Sequence, residues 1–150
     1  MKKITLNKQG INHPMYNDKP YTFDSFCWHY DIVEKLPANS IVLSSNDNSD
    51  YQSFTFSRNN SEVWGVQYHP EFNSKWISGL ISQRKSILLE EDFFSSEHDF
   101  NIMYNYLSDL NKYDSLRKDL EISDTLIDDK IRYRELINWL THLKDNFSSI

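Results

Sequence analysis

A histidine and a glutamate two residues apart form the pair in this sequence with the clearest chemical potential. They are His69 and Glu71 in the stretch VWGVQYHPE (63–71), and Pro70 stiffens the link between them. In extended backbone, positions i and i+2 project to the same side, so both side chains can face one site. A carboxylate bound to one imidazole nitrogen fixes the tautomer and leaves the other nitrogen to take and return a proton. The pair can therefore act as an oriented general base, but it needs a nucleophile.

Cys27 is the single cysteine in the chain and the first candidate for that nucleophile. Its neighbours, SFCWHYD, resemble the interior of a strand. They contain no glycine that would permit a tight elbow, and no helix follows whose N-terminus could stabilise a thiolate. We therefore predict that Cys27 is buried or half-buried and inert.

The positions of the histidines, taken alone, are weaker evidence for a functional site. From the HxE spacing alone, His69 is more simply explained as a strand-end residue that pairs with an acid for local stability. His98 and His142 lie on predicted helices without a second ligand at metal-binding spacing, so we predict surface or packing roles for them. We expect no metal site and no cofactor.

We call His69 and Glu71 the dyad. The elements that must position it begin with a strand-rich part of the sequence. Several β-prone runs follow one another closely and are separated by clusters of Asn, Asp and Ser, which predicts antiparallel strands joined by tight turns. These runs are KKITL (2–6), TFDSFCWHYD (22–31), IVLSSN (41–46), QSFTFS (52–57) and EVWGVQY (62–68). The dyad would follow the last of them.

After Pro70 the spacing of apolar residues becomes helical. One helix follows the last strand, a second covers residues 96–112, and a third forms the tail after Ser123. The apolar residues of the tail share one broad stripe, formed by Ile131, Tyr133, Leu136, Ile137, Leu140 and Leu143. We therefore expect a strand-rich part over residues 1–70, followed by helices over 73–147.

Composition restricts the class of protein and its partners. A chain of 150 residues fits one domain, and 25% charged residues exclude an integral membrane protein. The formal net charge of -6 argues against binding to the phosphates of nucleic acids. With one cysteine and no apolar run typical of a signal peptide, the chain is predicted to be cytoplasmic, with neither nucleic acid nor a membrane as a partner.

The sequence around the dyad resembles a family signature. Residues 65–71 resemble the Gly-hydrophobic-Gln-aromatic-His-Pro-Glu motif that closes the catalytic triad of class I glutamine amidotransferases. Residues 23–46 are similar to the family segment in which a His-x-Asp turn precedes Leu-Pro and a strand ending in a serine pair. The matching residues are His29, Asp31, Leu36, Pro37, Ser44 and Ser45. Residues 10–20 and 120–140 resemble the lead-in and the helical tail of GMP-synthase-like stand-alone members.

The resemblance implies a glutaminase, in which a cysteine thiolate attacks the side-chain amide of glutamine and releases ammonia for an acceptor. His69 and Glu71 take the roles of base and orienting acid. His29 and Asp31 would bind substrate, although stabilising a turn is at least as good an explanation for them. In the family the nucleophile lies in a Gly-x-Cys-x-Gly elbow, and this sequence lacks that pattern. The resemblance therefore implies that the chain is inactive alone.

The resemblance also implies an α/β, flavodoxin-like class I amidotransferase domain that is incomplete. Residues 1–90 would form its C-terminal half and residues 91–150 a helical C-terminal extension. We favour a fragment or frame-shifted remnant of a longer enzyme. The alternatives are the second subunit of a split amidotransferase, whose separate partner chain supplies the N-terminal half with the nucleophile, and a repurposed non-catalytic module. A protein-interaction module would use the tail stripe, with Tyr133 and Trp139 as anchors.

Overall fold

An antiparallel sheet is the framework of the computed structural model, which describes residues 2–147. Its five strands are β1 (Lys2–Leu6), β2 (Thr22–Ser25), β3 (Ile41–Asn46), β4 (Ser49–Arg58) and β5 (Ser61–Val66). They lie in the order β2-β1-β3-β4-β5, and each neighbouring pair is antiparallel. The antiparallel pairing predicted from the short, turn-linked runs is confirmed. With the helices that follow, the sheet also agrees with the expected α/β class.

The second strand is shorter than the sequence predicts, because β2 ends at Ser25 and the residues after it are irregular. The carbonyl of Phe26 accepts a hydrogen bond from the backbone N–H of His69 at 2.8 Å. The ring of His29 donates through Nδ1 to the carbonyl of Asp31, also at 2.8 Å. These backbone groups are satisfied outside the sheet, which removes the need for a continued strand.

Helices occupy the later part of the chain, as predicted, although the tail after Ser123 forms three helices and not the single one expected. The helices that follow the sheet are α2 (Ser74–Gln83), α3 (Lys85–Glu90), α4 (Glu97–Ser108), α5 (Asp124–Ile127), α6 (Asp129–Arg132) and α7 (Arg134–Phe147), and a short α1 (Lys8–Ile11) precedes β2. The side chain of Asn73 caps α2 by accepting from the N–H of Trp76 at 2.8 Å. Among the described residues, no helix is long and apolar enough to cross a bilayer.

The chain divides into two units. The first comprises Met1–Glu71 with Ser123–Ile150, and the second comprises Phe72–Ile122. The sheet, the dyad and α5 to α7 therefore belong to the first unit, and α2 to α4 to the second. The expected division into residues 1–90 and 91–150 stays a prediction about the family domain.

The core of the first unit lies on one face of the sheet. It is formed by the buried residues Ile4, Leu6, Met15, Tyr16, Phe23, Leu43 and Tyr68. Helix α1 approaches β3 closely at Gly10, where an added Cβ would lie 2.1 Å from the backbone oxygen of Leu43. Because that oxygen is part of the backbone of the sheet, it cannot move aside as the end of a flexible side chain could.

Replacing Gly10 with alanine should lower the free energy of unfolding by about 3 kcal/mol, because either α1 or β3 must shift to relieve the overlap. Gly79→Ala is a matched control. Gly79 is an exposed position in α2 with nothing within 4 Å of an added Cβ, so alanine should stabilise the helix by about 0.5–1 kcal/mol. Urea unfolding followed by circular dichroism measures both changes. A Gly10→Ala variant as stable as the parent would contradict this account of the α1 contact.

Helix α7 presents its polar side to the rest of the first unit. The side-chain amide of Asn138 donates to the backbone carbonyls of Met15 and Asn17, both at 2.9 Å. On the opposite side, Leu136 and Leu140 are 40% and 60% exposed. Three residues of the predicted stripe, Leu136, Ile137 and Leu140, therefore lie on α7 and face solvent. The other three, Ile131, Tyr133 and Leu143, are half-buried, and Ile131 and Tyr133 precede α7.

Candidate active site

His69 and Glu71 are in direct contact. Nδ1 of His69 lies 2.7 Å from Oε1 of Glu71. Because an ionised carboxylate can only accept, Nδ1 is the donor, and the lone pair of the neutral ring is then on Nε2. The two side chains are 28% and 51% exposed, so both are in contact with solvent. This is the arrangement of a general base whose tautomer is fixed by an acid.

The backbone on both sides of His69 is held by buried groups. Tyr68 and Pro70, which flank it, are both fully buried. The N–H of His69 itself donates to the carbonyl of Phe26 at 2.8 Å. The ring therefore projects from a segment that is fixed before, at and after the histidine.

A buried series of polar groups holds Tyr68. Its hydroxyl donates to Oε1 of Glu135 at 2.7 Å and lies 2.8 Å from the hydroxyl of Tyr16. Oε2 of Glu135 accepts from Nζ of Lys19 at 2.8 Å, and these two side chains are 4% and 2% exposed. Burial raises the pKa of Tyr68 well above its usual range and the pKa of Tyr16 to about 12, so both keep their protons at neutral pH. Through Glu135, helix α7 anchors the residue that precedes His69.

Gln67 links the end of β5 to the loop after β2. The side-chain amide is oriented so that its nitrogen and its oxygen both have hydrogen-bond partners. The nitrogen donates to the carbonyl of Tyr51 at 3.1 Å, and the oxygen accepts from the N–H of Val33 at 3.0 Å. The glutamine of the signature thus has a structural contact on each side. It ties the loop that carries Cys27 and His29 to the strand that leads to His69.

His29 and Asp31 contact each other rather than the dyad in the hydrogen bonds described. His29 binds the backbone carbonyl of Asp31, not its carboxylate, and both residues are exposed. This contact stabilises the turn. A role in binding substrate stays a prediction.

Cys27 is half-buried and packs against the core of the first unit. Burial raises the pKa of its thiol, so the protonated, poorly nucleophilic form prevails at neutral pH. Cys27 therefore has the environment of a packing residue.

Across residues 2–147 there is no group of three or more His, Cys, Asp or Glu side chains that could hold a metal ion.

The reactivity of Cys27 can be measured directly. Near neutral pH, the native protein should react with a thiol-specific disulfide reagent at least tenfold more slowly than the same protein unfolded in urea, because burial limits both access and ionisation. Absorbance of the released thiolate follows the reaction. Equal rates in the native and unfolded states would show that Cys27 is an accessible, reactive thiol.

Sequence reasoning found the dyad but not the groups that support it. Tyr16 and Lys19 lie three positions apart, but Glu135 is 116 positions from Lys19, and no local pattern marks these residues as partners. The one available signal was the tyrosine at position 68, since a buried tyrosine needs a partner for its hydroxyl. That signal predicts a partner without identifying it.

Comparisons with known proteins agree with the signature. A family model described as glutamine amidotransferase class-I matches residues 2–85, which include the dyad. The chain is 28% identical over 146 residues to a gamma-glutamyl-L-1-hydroxyisopropylamide hydrolase from Pseudomonas sp, a match that covers 93% of this chain and 48% of that protein. It is 36% identical over 76 residues to the glutamine-hydrolyzing GMP synthase of Thermosipho melanesiensis, covering 47% of this chain and 14% of that protein. The chain thus spans about half the length of the Pseudomonas protein and a smaller share of the synthase.

Proposed function

Because this chain belongs to the class I glutamine amidotransferase family, we propose that it carries the acid–base part of a glutaminase site. The observation that supports this most directly is the 2.7 Å contact between Nδ1 of His69 and Oε1 of Glu71 within the matched residues. In this proposal His69 is the general base and Glu71 orients it. Residues 1–90 are the C-terminal half of the amidotransferase domain, and residues 91–150 are a helical extension.

The proposed reaction hydrolyses the side-chain amide of glutamine. Nε2 of His69 takes the proton of a cysteine thiol, and the thiolate attacks the amide carbon. His69 then returns the proton to the leaving nitrogen, so ammonia departs and a thioester remains. Water attacks the thioester after giving a proton to His69, which passes it to the departing thiolate as glutamate is released. Throughout, Glu71 stays ionised and stabilises the imidazolium.

The thiol in this reaction is not that of Cys27, whose burial and raised pKa disfavour the thiolate. We propose instead that an N-terminal half of the domain supplies it from a cysteine elbow. That half is carried either by a separate chain or by a longer form of this one. The coverage of only 48% of the Pseudomonas hydrolase supports the proposal, since the rest of that protein is long enough to contain such a half.

A reconstitution experiment tests this function. The chain is mixed with the part of the Pseudomonas hydrolase that it does not match, and ammonia release from glutamine and from a γ-glutamyl alkylamide is measured. We expect no release from either polypeptide alone and release from the mixture. His69→Ala should reduce that release by about 10³-fold or more, because no base then activates the thiol. His98→Ala, on α4 of the second unit, is the matched control and should leave the rate unchanged.

Two outcomes would contradict the proposal. One is a mixture that forms a complex by gel filtration yet releases no ammonia from either substrate. The other is a His69→Ala mixture that keeps the parent rate, since the reaction would then use a different base.

A further inference from the structure

A cleft of about 240 Å³ lies between β5 and α7. Its lining includes Glu62 and Trp64 from β5, and Trp139, His142 and Leu143 from α7. All of these residues belong to the first unit, and neither residue of the dyad lines the cleft. The cleft is therefore a separate feature of this unit, which the proposed reaction does not use.

The indole of Trp64 is a fixed wall of the cleft. Its Nε1–H donates to Oε1 of Glu62 at 2.7 Å. The rings of His13 and His142 lie against this indole, with centroid distances of 5.0 and 4.8 Å. Nε2 of His142 in turn lies 3.0 Å from Oε2 of Glu62. Because each group is held by another, the wall and the carboxylate are oriented before a ligand binds.

Helix α7 supplies the other wall. Trp139, His142 and Leu143 are three and four positions apart, so they share one face of the helix. Trp139 is 43% exposed, which leaves a large aromatic surface available to a ligand. The cleft thus offers two indole rings, and indole is the side chain whose ring attracts cations most strongly.

Glu62 supplies the only carboxylate in the lining. The hydrogen bond from Trp64 is the main cause that lowers the pKa of Glu62, and the hydrogen bond from His142 adds to it, so the carboxylate is ionised at neutral pH. A carboxylate has about four lone-pair positions, and these two bonds use two of them. The remaining positions can accept from a donor inside the cleft, and the negative charge favours a positively charged one.

We propose that the cleft binds a primary alkylammonium ion, with its ammonium on Glu62 and its alkyl chain against Trp139 and Leu143. The ammonium donates to the carboxylate and is attracted by the indole rings. A volume of about 240 Å³ is below the roughly 300–1,000 Å³ of pockets for drug-sized ligands, which limits the alkyl chain to a few carbons. The net charge of -6 also attracts cations to the protein. This inference does not depend on the catalytic proposal.

A titration of the chain alone with butylammonium chloride tests the inference, followed by the indole N–H signals in two-dimensional NMR. At neutral pH and constant ionic strength, the signals of Trp64 and Trp139 should shift and saturate with a dissociation constant of about 1–10 mM, as expected for so small a ligand. Neutral 1-butanol and tetramethylammonium should each bind at least tenfold more weakly, because the first lacks the charge and the second lacks an N–H. Shifts that do not saturate, or equal binding of either comparison compound, would overturn the proposal.

Two substitutions separate the carboxylate from the indole. Glu62→Gln keeps an acceptor for the N–H of Trp64 but removes the charge, and it should weaken butylammonium binding at least tenfold. Trp139→Ala removes an exposed wall and should weaken binding by a similar factor. Trp76→Ala, at a 50% exposed position on α2 of the second unit, is the matched control and should bind like the parent. Circular dichroism verifies that each variant is folded, and a folded Glu62→Gln variant with the parent affinity would contradict the proposed site.

Discussion

Replacing Glu135 with leucine should lower the free energy of unfolding by about 3–5 kcal/mol. The change removes the carboxylate that lies 2.8 Å from Nζ of Lys19, in a place where the lysine side chain is 2% exposed. It also removes the acceptor for the hydroxyl of Tyr68. Burial already lowers the pKa of Lys19, and Glu135 opposes that shift, so without the carboxylate the ammonium loses its main compensation. Urea unfolding at neutral pH measures the loss.

Two further variants separate this effect from a general loss of ion pairs. Glu97→Gln removes the carboxylate of the exposed pair with Lys85 and should leave stability unchanged within error, because solvent screens that pair. The double variant Lys19→Met with Glu135→Leu should recover much of the loss, since neither charge is then buried alone. A Glu135→Leu variant as stable as the parent would show that the Lys19–Glu135 pair does not hold α7 to the segment before β2.

Replacing Glu71 with glutamine should slow ammonia release in the reconstituted mixture by about 10²–10⁴-fold. A glutamine side chain can turn its NH₂ group toward Nδ1 of His69, which would favour the tautomer with the proton on Nε2 and block the base. Because Glu71 is 51% exposed, the change should have little effect on unfolding. Steady-state rates and urea unfolding of the same preparation separate the two effects.

Glu34→Gln is the matched control, because Glu34 is an exposed carboxylate away from the dyad in sequence. It should keep the parent rate. A Glu71→Gln mixture as active as the parent mixture would show that the contact with His69 does not orient the base.

The dyad could be predicted because its geometry is local. His69 and Glu71 are two residues apart, and the proline between them restricts the backbone, so their contact needs little help from the rest of the fold. The strands were predictable for a similar reason, since each is a short β-prone run bounded by turn residues. The early end of β2 was not, because it depends on a hydrogen bond from His69 to Phe26, which only the folded chain brings together.

The support of the site could not be predicted, because it joins distant parts of the chain. Lys19 and Glu135 are 116 positions apart and meet only when α7 packs on the first unit. The stripe on α7 was visible in the sequence, but periodicity shows that a helix has two sides and not which side faces the protein. Buried partners for Glu135 and Asn138 decide that choice, and they turn the apolar side outward.

The nitrogen NMR spectrum of the His69 ring tests the central claim most directly, because it reports which ring nitrogen carries the proton in the chain by itself. The signal is assigned by its loss in His69→Ala and recorded at mildly alkaline pH. The account predicts a proton on Nδ1, held by Glu71, and an unprotonated Nε2, with a weaker preference in Glu71→Ala. A parent ring that carries its proton on Nε2 would contradict the assignment of His69 as an oriented general base.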